Sequence, residues 1–221
     1  MKFAWEHLVG AVGLAVFVYG SYQGYFVAPP DRFMGDVMRI MYVHVPAAWV
    51  TMIAFFVTFV AAIGWLWRGT WLWDGLVEAS IEVGLVMGCL LVVLGMLWGK
   101  PTWGVYWTWD PRLTSVGVMI LLFAGVAALR AFVDDPRQRA TWSAVASIIA
   151  FVDVPIVYYS VRWWNSLHQI QGMTGNKMDP AIQQPMWINS LAFVLLTVWF
   201  IARRYRLASA TLQKELAPCP E

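Results

Sequence analysis

The sequence predicts an all-α integral membrane protein, a six-transmembrane-helix bundle with a Trp-rich loop at one membrane face. Three observations lead there. The chain is 60% hydrophobic and only 13% charged over 221 residues, with a mean hydropathy of +0.62. Soluble domains sit near about half apolar and about a quarter charged. Apolar runs recur along the chain at close to the roughly 20 residues that a helix needs to cross a bilayer, and Pro, Gly and Asp punctuate the breaks between them.

The runs cover residues 8–28, 45–67, 78–98, 113–133, 140–161 and 187–203, within one membrane domain, 1–221. The first ends at Pro29-Pro30-Asp31. It exceeds the roughly 7–15 apolar residues of a signal-peptide core and lacks an A-x-A site, so a retained span is expected. The second opens with Pro46 in its first turn, where a missing N–H costs nothing. The third runs into a link, 98–115. The fourth is opened by Asp110-Pro111, a cap followed by Pro at the first helical position, and closed by Asp134-Asp135-Pro136. Two ionisable groups fall inside spans. Glu82, near an inner end, is expected to snorkel, and Asp153 to bond backbone groups freed by Pro155. The sixth span leads into a tail, 204–221.

Six spans put both termini on one side. That side carries Lys2, Arg68, Arg130, Arg137, Arg139, Arg203, Arg204, Arg206 and Lys214. The other carries Arg32, Arg39, Lys100, Arg112, Arg162 and Lys177. The excess favours cytoplasmic termini. His44, the 98–115 link and His168 then share the outer face, whereas His7 is cytoplasmic. The net charge is +2, and no Lys/Arg run lies outside the membrane flanks, which argues against nucleic-acid binding. Cys89 and Cys219 form no CxxC, so neither a disulfide framework nor thiol redox chemistry is expected.

The link holds the densest chemistry: Trp98-Gly99-Lys100, then Trp103-Gly104, Trp107 and Trp109-Asp110, followed by Arg112. Interfacial Trp is ordinary, and Trp65, Trp67, Trp71 and Trp73 read as such a belt. Glycines at 99 and 104 set the link apart, because they permit close backbone approach to a flat ring. Flat indoles with His44 and His168 as axial imidazoles suggest haem. Lys100, Arg112 and Arg162 are candidate partners for its propionates, and Trp163, Trp164 and Asn165 flank His168. The plainer alternatives stay open: Asp110 as a helix cap, Arg112 as a snorkelling cation, and both histidines as interfacial residues.

The run Trp98-Gly99, Trp103-Gly104, Trp107, Trp109-Asp110, Arg112-Leu113-Thr114 resembles the tryptophan-rich WWD signature of haem-handling proteins in cytochrome c biogenesis. Chain length, the His44 context and Trp163-Trp164-Asn165-Ser166-Leu167-His168-Gln169 are similar to the system I CcmC family. That resemblance covers nearly the whole chain. It implies a bacterial inner-membrane protein that holds haem b at the periplasmic face through His44 and His168. The Trp-rich link, Trp98 to Asp110, would serve as haem platform and as docking surface for the periplasmic haem chaperone CcmE, onto which haem is loaded covalently. The ABC transporter subunits CcmA and CcmB and the small membrane subunit CcmD would complete the assembly. Asp153 departs from the family pattern, where a neutral residue is expected. No nucleophile or general base stands out, so a transfer protein is expected rather than a conventional enzyme. A single-haem cytochrome b-type electron carrier and a small-solute transporter remain alternatives. Three histidines are too few for a relay of two bis-histidine haems.

Overall fold

The computed structural model describes residues 5–168 and 179–217. Lys2, Gln169, Lys177 and Cys219 lie outside them. Among the described residues the fold is helical, without strands. Helix α1 is Trp5–Tyr22, extended by a π turn, Gln23–Val27. A 3-10 turn, Asp36–Ile40, leads into α2, Met41–Arg68. Then come α3, Trp71–Trp103, α4, Pro111–Phe132, α5, Pro136–Phe151, α6, Asp153–Trp163, and α7, Pro180–Glu215. Five segments are long and apolar enough to span a membrane, with α5 and α6 together forming one of them. The α-helical part of the remaining expected span, α1, has 18 residues.

Local chemistry explains the boundaries. Helices α4, α5 and α7 each start at an Asp-Pro pair, in which the aspartate accepts a backbone N–H and the proline loses nothing at the first helical position. Gly69 (φ +61°) and Gly104 (φ +80°) close α2 and α3 in the left-handed conformation that favours glycine. The α5–α6 break falls at Val152, three residues before Pro155.

Several expectations need correction. Helix α2 begins at Met41, so Pro46 lies beyond its first turn. Proline offers no N–H to the Tyr42 carbonyl four residues back. Asn189 of α7 supplies one instead, with Nδ2 donating to that oxygen at 2.9 Å. The 98–115 link is helical to Trp103 and again from Pro111, and the tail continues α7 to Glu215. Trp65 is not belt: it is buried and donates to Thr141. Trp71 and Trp73 pack on the core, while Trp67 is exposed as expected. Asp153 Oδ2 is buried without a partner, not bonded to freed backbone.

Helix α2 is central, packed on α3, α5 and α7, with α1 against α7 and α4 against α3, α5 and α6. Phe55 and Phe123 stack at 3.7 Å in the core. At the end away from His44, arginines tie the helices together. Arg130 meets Asp74 at 2.6 Å, Glu78 at 2.8 Å and the Ser143 hydroxyl at 2.8 Å. Arg139 pairs with Glu215. Glu82 does not snorkel alone, because both its oxygens are taken by Arg204.

Candidate functional site: two imidazoles beside a tryptophan-lined wall

His44 lies in the first turn of α2, and His168 follows α6, 124 positions later in the chain. Folding brings them together: each lies within electrostatic reach of Arg112, and His168 of His44. Nδ1 of both rings is buried without a hydrogen-bond partner. The His44 ring rests on α3 at Gly95, where a methyl group would stand 3.2 Å from Cε1. Gly95 escapes sequence reasoning, since one glycine in an apolar run carries no label.

The Trp-rich stretch divides by function of position. Trp98, buried on α3, meets Trp103 edge to face at 5.1 Å. Trp103 in turn meets His168 edge to face at 4.9 Å. Lysine, glycine and proline shape this end of α3. Gly104 closes the helix, and a side chain at Gly99 would meet the Val105 carbonyl at 3.1 Å. Trp107 lies over Gly117 of α4 and meets Trp109 edge to face at 6.0 Å. Trp109 is 81% exposed, and Tyr106 is exposed as well. A cavity of about 380 Å³ is lined by Trp98, Trp103 and Leu167 together with Phe33, Met34 and Val37.

Asp110 does more than cap α4. Its carboxylate accepts from the Arg112 amide at 2.9 Å, the Ser166 hydroxyl at 3.0 Å and the Leu167 amide at 2.7 Å. Ser166 Oγ also accepts from the His168 amide at 3.0 Å. Oδ1 of Asp110 stands 3.5 Å from His168 Nδ1, an ion-pair distance without hydrogen-bond geometry. Burial opposes the charge on Asp110, but the Leu167 amide, the Ser166 hydroxyl and the Arg112 amide outweigh it and hold the carboxyl below its ordinary range. Burial pushes the His168 imidazole down to about 4, reinforced by Arg112 and opposed by Asp110. The ring is therefore neutral near pH 7, the form that offers a lone pair to a metal.

Among the three cations singled out from sequence, Arg112 acts on both imidazoles. Lys100 Nζ donates to the Gly104 carbonyl at 2.9 Å and lies over Tyr106, while Arg162 lies over Tyr158 and Tyr159. Trp163 stacks on Tyr159 at 5.4 Å, and Trp163, Trp164 and Asn165 are all exposed.

The fold is that of an all-α membrane protein, with His44, His168 and Trp103 gathered at one end of its bundle. The sequence model of the family described as Heme exporter protein C (CcmC) matches residues 2–217. The chain belongs to that family. It is 38% identical to Heme exporter protein C of Bradyrhizobium diazoefficiens over 194 residues, 86% of this chain and 73% of that protein. It is 36% identical to Heme exporter protein C of Escherichia coli K12 over 211 residues, 95% and 84% of the two chains. The Paracoccus denitrificans protein of the same name is 31% identical over 185 residues.

Proposed function

We propose that this chain is a haem-handling protein of cytochrome c biogenesis in the bacterial inner membrane. It forms one six-span domain with cytoplasmic termini and the imidazole pair at the periplasmic face. It binds one haem b through His44 and His168 and passes it to the periplasmic chaperone CcmE, in an assembly with CcmA, CcmB and CcmD.

The convergence of two sequence-distant imidazoles carries this reading. Two half-buried imidazoles, each with a buried Nδ1 that no protein group satisfies, fit a metal-centred cargo, because buried polar atoms are rarely left unpaired. Their donor chemistry suits six-coordinate haem iron. Bound haem supplies the iron centre and the reactive porphyrin edge; the chain supplies ligation, orientation and a wall that limits water. Arg112, positioned near both rings, is the best-placed cation for a propionate. Trp98 and Trp103 line the ligand side. Exposed Trp109, with Trp107 and Tyr106, forms the surface offered to the chaperone, since large exposed aromatics anchor protein contacts. No step requires a nucleophile from this chain, so it acts as a transfer protein rather than a conventional enzyme.

The test is chaperone loading by a Trp107→Ala, Trp109→Ala double variant reconstituted with CcmE. The expected result is normal membrane insertion and haem content with CcmE loading reduced about tenfold or more, the scale of losing one interface hot spot. Loading at the parent level would contradict this division of the tryptophans.

A further inference from the structure

We propose that Asp110 is a positioning residue, a carboxylate clasp that holds the Ser166–His168 segment to the start of α4 and so sets His168 for ligation. The proposal rests on the two-histidine reading above and assigns Asp110 a task other than contact with a partner.

Helix capping alone does not account for the geometry. A cap needs only one backbone N–H donor, and the Arg112 amide supplies it. The remaining contacts all reach a segment 56 or 57 residues away in sequence. Oδ2 takes the Leu167 amide at 2.7 Å, and Oδ1 takes the Ser166 hydroxyl at 3.0 Å. That same hydroxyl receives the His168 amide, so the chain on both sides of Leu167 is fixed to one carboxylate. The Asp110 side chain is 2% exposed, against 21% for His168. A buried carboxylate with this many donors is held firmly, and hydrogen bonds to a charged acceptor are the stronger kind. Trp103 bounds the ring from the α3 side. Oδ1 also stands 3.5 Å from His168 Nδ1, so the carboxylate itself bounds the ring.

The clasp and the cap can be separated. Asp110→Ser keeps a side-chain oxygen for the Arg112 amide but is too short to serve Leu167 and Ser166 together. Ser166→Ala removes the bridging hydroxyl and leaves α4 capped. The full chain is purified haem-free in detergent, and amide exchange across 164–168 is followed for the parent and both variants. Exchange at Leu167 should rise about tenfold or more in Asp110→Ser, the ratio expected for losing a bond to a charged group, with a smaller rise in Ser166→Ala and unchanged helicity in both. Haemin is then added. The parent should give a six-coordinate spectrum. Asp110→Ser should give a mixture with five-coordinate haem that free imidazole converts back, a rescue that simple loss of helix stability would not show. His168→Ala runs alongside. Parent-like exchange and spectrum in Asp110→Ser overturn the clasp. If His168→Ala keeps the parent spectrum, the two-histidine reading fails, and with it the claim that the clasp serves ligation, whatever the exchange rates.

Discussion

The indole of Trp103 meets the imidazole of His168 edge to face, 4.9 Å between ring centres and 68° between planes. This contact joins the tryptophan-rich end of α3 to the segment that follows α6. It makes the indole a side wall for the ring instead of a membrane-surface anchor. Such a pair contributes roughly 0.5–1.5 kcal/mol beyond area burial. Trp103→Ala should therefore lower haem affinity about three- to tenfold, with Trp103→Phe close to the parent. Haemin titration of the detergent-purified variants measures this. Equal affinities for Ala and Phe would remove the wall from the site.

Gly95 sets the depth of His44. A methyl at Gly95 would approach Cε1 to 3.2 Å, tight enough to displace the ring by a few tenths of an ångström. A branched side chain cannot be absorbed that way. Gly95→Val should give protein of parent helicity whose haem is largely five-coordinate, whereas Gly95→Ala should show a small shift. Absorbance and circular dichroism on the same samples decide it. A six-coordinate Gly95→Val protein would show that His44 does not depend on this contact.

Asn189 and Pro46 form a compensating pair. Proline leaves the Tyr42 carbonyl without its helical donor, and Asn189 Nδ2 fills the place at 2.9 Å. Asn189→Ala strands a buried acceptor and should destabilise the protein by about 1–3 kcal/mol. Pro46→Ala restores a donor within α2, so the double variant should recover most of that loss. Thermal unfolding of the two single variants and the double variant reads the coupling directly. Simple additivity would show that Asn189 acts elsewhere.

Acid should weaken the haem-free protein through His168. Burial holds this imidazole down to about 4, against an ordinary value of 6.5. As pH falls, the unfolded chain takes up the proton first. The contribution is whole above 6.5 and is lost as pH drops towards about 4, up to about 3 kcal/mol. The thermal midpoint of the parent should decline across this window more steeply than that of His168→Gln. Parallel curves would place the acid sensitivity in another group.

Much of this architecture was legible from composition. Apolar runs of bilayer length announced helices, and Asp110-Pro111 announced where α4 begins. The same Asp-Pro signature at Asp179-Pro180 marks the start of α7, seven residues before the expected span, because hydropathy weighs only the membrane-depth part of a helix. Residue type could not tell lipid-facing from core-facing aromatics. Trp73 looked like belt until Gly64 proved to leave room for its ring. Glu82 reads in the sequence as a snorkelling side chain because its partner, Arg204, lies 122 residues away. At the site, the histidines, Trp103, Asp110 and Arg112 could be singled out by chemistry. Gly95, Ser166 and Leu167 could not, since they act through backbone position and a small hydroxyl that only the folded chain brings to bear.

The most direct test of the two-histidine site is the absorbance spectrum of the detergent-purified chain with added haemin, compared with His44→Ala, His168→Ala and His7→Ala. A six-coordinate parent spectrum, altered in both site variants and kept in His7→Ala, is the predicted result. A parent without haem, or site variants with the parent's spectrum, would contradict ligation by His44 and His168.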